Sequence, residues 1–408
     1  MINKGTINKL IFIMLFFSGF LFSYQFQGVL FTQWFSSFAI LIYFFFIDKF
    51  KFPFIIYYLI LIFYLLLVFL LLSYQFKWLN HLQYFRSFIN LIFYVLVFYI
   101  FVEVGFKINR RFFINLIKFI FITVFLLQLL QFIFLQFNIF ITYTTENIWI
   151  SDDIYHSLFS NGITRSRAFF GEPSWLAIVM FGLIVALKLL KEDNFFLIIL
   201  FFISEVLTLS LTGFLSIFLY VLMNFKKMFN NLFKVKYFIF FSILFFSSLI
   251  LYSVLENNKL FIYLIERIDR VFSGNDMSVF IRYIYSFNFT KVILRTSPII
   301  GVGVGNVDVF SNYIGYYNYY LPGIGYNYND TYQYLLATFG ILGMFIVSYI
   351  LYKIVKLNFI YSNKRNNRII ILFLIFYFFV SGLFLSPLFW YMFAIIIISN
   401  NLNFKEKN

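Results

Sequence analysis

The chain contains no cysteine, which excludes both a disulfide framework and a thiolate metal site. Its only histidines are His81 and His156, too few for a histidine-rich metal centre. Metal ligands and cofactors are therefore not expected. Charge is also scarce, at 12% of 408 residues, about half the usage of a soluble domain. No soluble domain, low-complexity linker or internal repeat interrupts the sequence, and nucleic acid is not among the expected partners.

Apolar side chains are abundant instead. They make up 63% of the residues, and the mean hydropathy is +0.91. A soluble domain of this length could not hide that much apolar surface. The natural solvent is a bilayer, where helices satisfy their own backbone groups. The 68 phenylalanines read as compositional bias. A spanning helix needs about 20 apolar residues, which places spans near 7–24, 28–47, 53–73, 82–102, 112–139, 172–190, 195–208, 210–224, 237–255, 331–352, 369–385 and 387–400. The first run has Lys4 and Lys9 at its start and no small-residue cleavage site after it. It reads as an uncleaved span.

Positive charge fixes the sidedness. Lys49 and Lys51, Lys107 with Arg110 and Arg111, Lys188 and Lys191, Lys226 to Lys236, and Lys364 to Arg368 belong on the cytoplasmic side. Lys191 and Lys226 then share a side, so the chain between them crosses an even number of times. Two short helices hinged near Ser210, Thr212 and Gly213 meet that condition. The expected fold is an all-α polytopic integral membrane protein. It is one membrane domain over 1–408, with about twelve transmembrane helices and both termini cytoplasmic. Segments 140–171 and 256–330 face outward, the second carrying interfacial helices.

This topology splits the two basic residue types. The cytoplasmic side holds 17 of 20 lysines but 4 of 11 arginines. Outside lie Arg86, Arg165, Arg167, Arg267, Arg270, Arg282 and Arg295. A point charge suffices for orientation, whereas the planar guanidinium fork grips phosphate oxygens with paired hydrogen bonds. Arg165, Arg167 and Arg282 together read as an anion site; pairing with external acids or lipid headgroups is the alternative. Arg267 and Arg270 stand beside Glu266 and Asp269 and read as interfacial pairs.

Several short motifs hold the remaining polar residues. Arg165-x-Arg167 precedes Gly171-Glu172-Pro173-Ser174 at the start of the sixth span. Pro173 suits a first helical turn, and Glu172 or Ser174 suits a helix cap. Glu172 also stands at the membrane edge, where an ionisable group is a functional candidate. It could act as a base or position an arginine. Asp276 can cap an amphipathic helix running to about Thr296, with Arg282 and Arg295 on it. Gly301-x-Gly-x-Gly305 follows a helix and a proline, not a strand, so it fails the context of a dinucleotide fingerprint. It reads as a flexible turn whose amide groups could also assist phosphate binding. The tyrosine-rich segment 313–332 suits either sugar stacking or a membrane interface. Glu205 lies inside the short hairpin. Asp152-Asp153 reads as a solvated loop, with divalent-cation binding as the alternative. His156 is a lone external histidine.

Four of these motifs in order resemble the O-antigen polymerase and O-antigen ligase superfamily, the Wzy-type proteins of surface-polysaccharide assembly. An external arginine leads into Phe170-Gly171-Glu172-Pro173-Ser174-Trp175-Leu176-Ala177, similar to the family's "R…F.EPs..A" entry to a span. Leu209-Ser210-Leu211-Thr212-Gly213-Phe214-Leu215 resembles its "lS.SRtg.L" hairpin. Arg282 before Pro298-Ile-Ile-Gly-Val-Gly-Val-Gly-Asn306 resembles "R……P..GvG.gn". Asn329-Asp330-Thr331-Tyr332 running into Phe339-Gly-Ile-Leu-Gly343 resembles "hN.yl..l…GilG". The resemblance covers about 165–345; the first 140 residues match only as generic spans. Leu211 stands where many relatives carry arginine, and Asn329 where the ligases carry an external histidine. The second departure favours polymerase over ligase.

The resemblance implies a metal-independent, inverting membrane glycosyltransferase without a nucleotide-sugar site. It would join oligosaccharide repeats carried on polyprenyl diphosphate, at the outer face of the cytoplasmic membrane. Arg282 with Arg165 or Arg167 would hold the diphosphates, and Glu172 would activate the acceptor hydroxyl or orient an arginine. Arg295, Asn306, Asn329, Asp330 and Tyr332 would contact substrate. Membrane lipids and a chain-length regulator protein are further expected partners. A ligase for finished polysaccharide and a flippase for lipid-linked sugars are the alternatives.

Overall fold

A computed structural model describes residues 4–20, 25–26, 29–46, 55–76, 79–137, 159–160, 163–164, 166, 168, 170, 173–232, 269–270, 273, 285–314, 331–359, 364–380 and 387–405. The helices are α1 (Lys4–Phe20), α2 (Phe31–Phe46), α3 (Ile55–Gln75), α4 (His81–Gly105), α5 (Arg110–Gln136), α6 (Pro173–Leu189), α7 (Phe195–Thr208), α8 (Leu211–Leu232), α9 (Ser286–Thr296), α10 (Val307–Tyr313), α11 (Thr331–Phe359), α12 (Lys364–Val380) and α13 (Pro387–Lys405). Two antiparallel ladders of two residues per strand, Gln25–Phe26 with Val29–Leu30 and Phe159–Ser160 with Ile163–Thr164, are the strands among the described residues.

Every expected span falls on one of these helices except 237–255, which lies outside the described residues. His81–Gly105, Arg110–Phe134 and Tyr332–Lys353 are long and apolar enough to cross a membrane, and several shorter helices are equally apolar. Large apolar side chains also stand open on helix faces, Phe45 at 80% and Phe63 at 69% exposure among them. Water would penalise such faces; lipid does not. The chain is a helical protein suited to a membrane.

The helix ends follow local chemistry. The Asn80 side chain accepts from the Gln83 amide at 3.0 Å and caps α4. Asn194 does the same for α7, accepting from Leu197 at 2.9 Å. Each satisfies one of the amides a helix start leaves open. Pro173 opens α6, where a missing N–H costs nothing.

The chain forms two compact units. The first comprises residues 1–113, 280–367 and 374–408. In it α1 packs on α2 and α4, and α13 packs on α4 and α1. Aromatic rings fill the contact: Phe98 stacks on Phe393 with centroids 5.3 Å apart, and Phe12 meets Phe101 at 5.1 Å. The Tyr391 hydroxyl sits between those of Ser18 and Ser36, so this otherwise apolar seam has a specific polar register.

The second unit comprises residues 114–279 and 368–373. Its central helix, α6, is buried on nearly every face, only Trp175 among its residues reaching partial exposure. A helix apolar all round belongs in an interior, and α7 and α8 pack against it. The buried Gln128 side chain on α5 donates to the Ser204 carbonyl on α7 at 2.8 Å.

One end of this unit holds a buried cation. Lys188 closes α6 with its side chain 4% exposed. Its ammonium meets the Asn224 carboxamide oxygen, lies 3.6 Å from Asp193, and sits 5.1 Å from the Tyr220 ring centre. Tyr220 in turn donates to Asp193 at 3.1 Å. Residues of α6, of the turn before α7 and of α8 are thus tied to one charge. Lys188→Met removes that charge and leaves Asp193 and Asn224 without it. We expect a loss of about 2–3 kcal/mol, read as a lowered Tm in detergent. A Tm equal to that of wild type would show that the ammonium contributes nothing beyond its apolar stem.

Candidate functional site

The four ordered motifs fall into two clusters, one in each unit. In the second unit, α7 ends at Thr208 because Leu209 takes a left-handed conformation, with φ 46° and ψ 35°. Such a backbone is costly for a side-chain-bearing residue and ends a helix sharply. Ser210 then accepts the Gly213 amide at 2.9 Å, the bond of a serine at a helix N-terminus. A side chain at Gly213 would strike the Thr208 hydroxyl and the Glu205 carbonyl, 2.6 and 2.7 Å from its Cβ position. The Leu-Ser-Leu-Thr-Gly sequence therefore encodes a break, a cap and a close crossing.

The Arg165-x-Arg167 motif reaches this break through its central residue. Ser166 is fully buried. Its amide and hydroxyl both donate to the Leu207 carbonyl, at 3.3 and 3.0 Å. Ala168 and Phe170 are buried as well. Arg165, Arg167 and Glu172 themselves lie outside the described residues. Glu205, two residues before Leu207, is fully buried.

In the first unit, α9 leads through Ser297 and Pro298 into the glycine-rich segment, and α10 leaves it. This segment is not the flexible turn expected from its glycines. Helix α11 breaks at Gly340, where φ is 65° and ψ −170°, a region open essentially to glycine alone. Residues 298–303 fill the break. Ile341 and Leu342 donate to the Pro298 and Ile299 carbonyls at 3.0 and 3.1 Å. Val302 and Gly303 donate to the Ala337 and Thr338 carbonyls, both at 2.9 Å. Tyr64 gives its hydroxyl proton to the Phe339 carbonyl at 2.6 Å. The helical bonds lost at the break are thus replaced from outside the helix.

Four amides of the segment proposed above for phosphate are consequently engaged. Gly301, Val302, Gly303 and Asn306 donate to the carbonyls of Ser297, Ala337, Thr338 and Gly303. Asn306 is fully buried, and its carboxamide oxygen accepts from the Asn80 amide at 3.1 Å. Its side chain ties the segment to the start of α4 and faces inward.

No family model matches this chain, and no curated protein is significantly similar to it. The site residues stand on their own geometry. Arg295, in the last turn of α9, and Tyr332, in the first turn of α11, are both exposed, and these two helices pack together. Arg282, Asn329 and Asp330 lie outside the described residues, as do Asp152, Asp153 and His156.

The structure adds Asp308, on the first turn of α10. One side of it is open to solvent, while the protein crowding the other side displaces enough water to push its carboxyl up to about 6. A carboxyl near that value suits proton acceptance at neutral pH. The sequence does not single it out; its position two residues after Asn306 is the available signal. Among the described residues no group of three or more His, Cys, Asp and Glu side chains could hold a metal ion.

Proposed function

We propose that this protein is a polysaccharide polymerase of the cytoplasmic membrane, joining oligosaccharide repeats carried on polyprenyl diphosphate at the outer face. The observation that carries the reading is the pairwise meeting of the motifs. Ser166 of the first motif binds Leu207 beside the second, and residues 298–303 of the third fill the break at Gly340 within the fourth. Motifs that resemble a family's in order, and that also meet in pairs, behave as working parts. About twelve spans, cytoplasmic termini and outward-facing segments at 140–171 and 256–330 belong to this reading.

The chemistry follows from the residue types. The acceptor hydroxyl attacks the anomeric carbon of the growing chain, forming the glycosidic bond on the opposite face. The bond from that carbon to the diphosphate oxygen breaks, and polyprenyl diphosphate leaves. Guanidinium forks at Arg282 and at Arg165 or Arg167 grip the diphosphates, and the charge that develops on a leaving diphosphate is stabilised by such a fork. Glu172 takes the acceptor proton or orients an arginine. Arg295, Asn329, Asp330, Tyr332 and the tyrosines of 313–332 hold the sugars, with Asn306 holding the segment in place.

The test is surface polysaccharide resolved by length, from a strain deleted for the gene and from the complemented strain. Single repeat units in place of the ladder, reversed by wild type, are expected. Full-length polymer stranded on its lipid carrier would make the protein a ligase. Repeats trapped on the cytoplasmic side would make it a flippase.

A further inference from the structure

Glu205 lies one turn before the end of α7, and none of its side chain reaches solvent. Both carboxyl oxygens are buried; the Ser216 hydroxyl stands within reach of them, but in poor geometry for a hydrogen bond to the carboxyl. The donors around it are committed to other acceptors. Thr208 gives its hydroxyl proton to the Glu205 carbonyl at 2.7 Å. Ser216, beside the carboxyl, gives its proton to the Gly213 carbonyl at 2.7 Å. The Gly213 amide goes to Ser210. Two lysines described in this unit are engaged elsewhere, Lys118 with Glu192 at 2.6 Å and Lys188 with Asp193 and Asn224.

Oxygen atoms therefore gather at this point without a matching positive group among the described residues. A Glu205 carboxyl oxygen, the Glu205 carbonyl and the Thr208 hydroxyl all lie within 3.1 Å of the Cβ position at Gly213. The C-terminal end of α7 adds the negative end of its dipole. In some membrane transporters, broken helices that present carbonyls and hydroxyls coordinate small cations, and an ionisable residue buried within an apolar helix is a functional candidate. One carboxylate among neutral oxygens matches a single positive charge; a divalent ion takes more carboxylate ligands or keeps its water.

We infer that the break between α7 and α8 binds a small monovalent cation, with Glu205 as its charged ligand and the oxygens of Thr208 and Ser216 as neutral ones. The bound cation steadies the turn to which Ser166 is tied. Polymerisation is not read in the test, so failure here leaves the polymerase reading intact, and failure of that reading leaves this site intact.

Sodium is the probe. The full-length protein in detergent is melted across a NaCl series, with choline chloride holding ionic strength constant, and radioactive sodium binding is measured in parallel. We expect a saturable rise in Tm of roughly 5 °C and sodium binding that unlabelled sodium displaces. Glu205→Gln abolishes both. Ser216→Ala, a smaller change that keeps the carboxyl, weakens apparent affinity by about tenfold, the loss of one ligand worth ~1.4 kcal/mol. Equal Tm in sodium and choline overturns the inference, because the carboxyl then carries only its own proton. Full sodium dependence in Glu205→Gln overturns it too. If Glu205→Gln does not fold, Ser216→Ala decides: unchanged sodium affinity sinks the site.

Discussion

Replacing Gly340 with alanine is expected to cost roughly 2–6 kcal/mol, combining backbone strain of about 1–3 with overpacking of about 1–3. The backbone at Gly340 occupies a region that alanine resists. The added methyl would also fall 2.5 Å from the Ile299 carbonyl carbon and 2.6 Å from the Gly301 nitrogen. Those atoms are backbone held by the bonds that fill the break, so they cannot swing aside as a side chain would. Relief requires 298–303 to leave the helix, which strands the amides of Ile341 and Leu342 and the carbonyls of Ala337 and Thr338. Gly301, with φ 67° and the facing contact, is expected to behave alike. Against a typical stability of about 5–15 kcal/mol, either change removes much of the margin. The measurement is thermal unfolding in detergent with limited proteolysis. Ile341→Ala, at an exposed neighbouring position, serves as the control. A Gly340→Ala protein as stable as that control would mean that the break is not held as described.

Loss of the guanidinium at Arg282 is expected to lower polymer formation by at least about 10²-fold, the scale of removing one preorganised donor to a developing anion. The diagnostic comparison is between alanine and lysine. Lysine keeps the charge but presents one compact ammonium in place of a planar fork. If Arg282 grips diphosphate oxygens in pairs, Arg282→Lys remains at least about tenfold impaired. If it supplies only positive potential, lysine restores most of the rate. The readout is ladder length and intensity in complemented deletion cells, with membrane levels of each variant matched. Full activity in Arg282→Lys would remove the diphosphate clamp from the mechanism.

The helices were legible because a bilayer imposes one simple demand, a run of apolar residues near 20, and the ends at Asn80 and Asn194 carry their capping side chains in the local sequence. The hairpin at Ser210 was legible because the lysine groups before and after it read as sharing a side, and because Ser210 and Gly213 are a local cap and crossing. The glycine-rich segment was misread because its partner lies elsewhere in the chain. Gly301 contacts Gly340, 39 positions later, and no local pattern distinguishes a loose turn from one that completes a broken helix. The break itself was hidden inside the apolar run 331–352, where a single glycine is unremarkable. For the site, the sequence singled out residue types. The structure shows that Asn306 is engaged internally with Asn80 and brings Asp308 forward by its surroundings, a property no residue name carries.

The break in α11 also bears on biogenesis. The translocon delivers helices in the order of synthesis, and a helix with an open ladder is a poor candidate for release into lipid, since each unmatched peptide group costs several kcal/mol there. Residues 298–303 are made before residues 337–342. The stretch of backbone that completes the helix is therefore already synthesised when the helix emerges, and we expect insertion and tertiary closure at this point to be coupled. Reversing that order by circular permutation would ask the membrane to accept α11 unfinished.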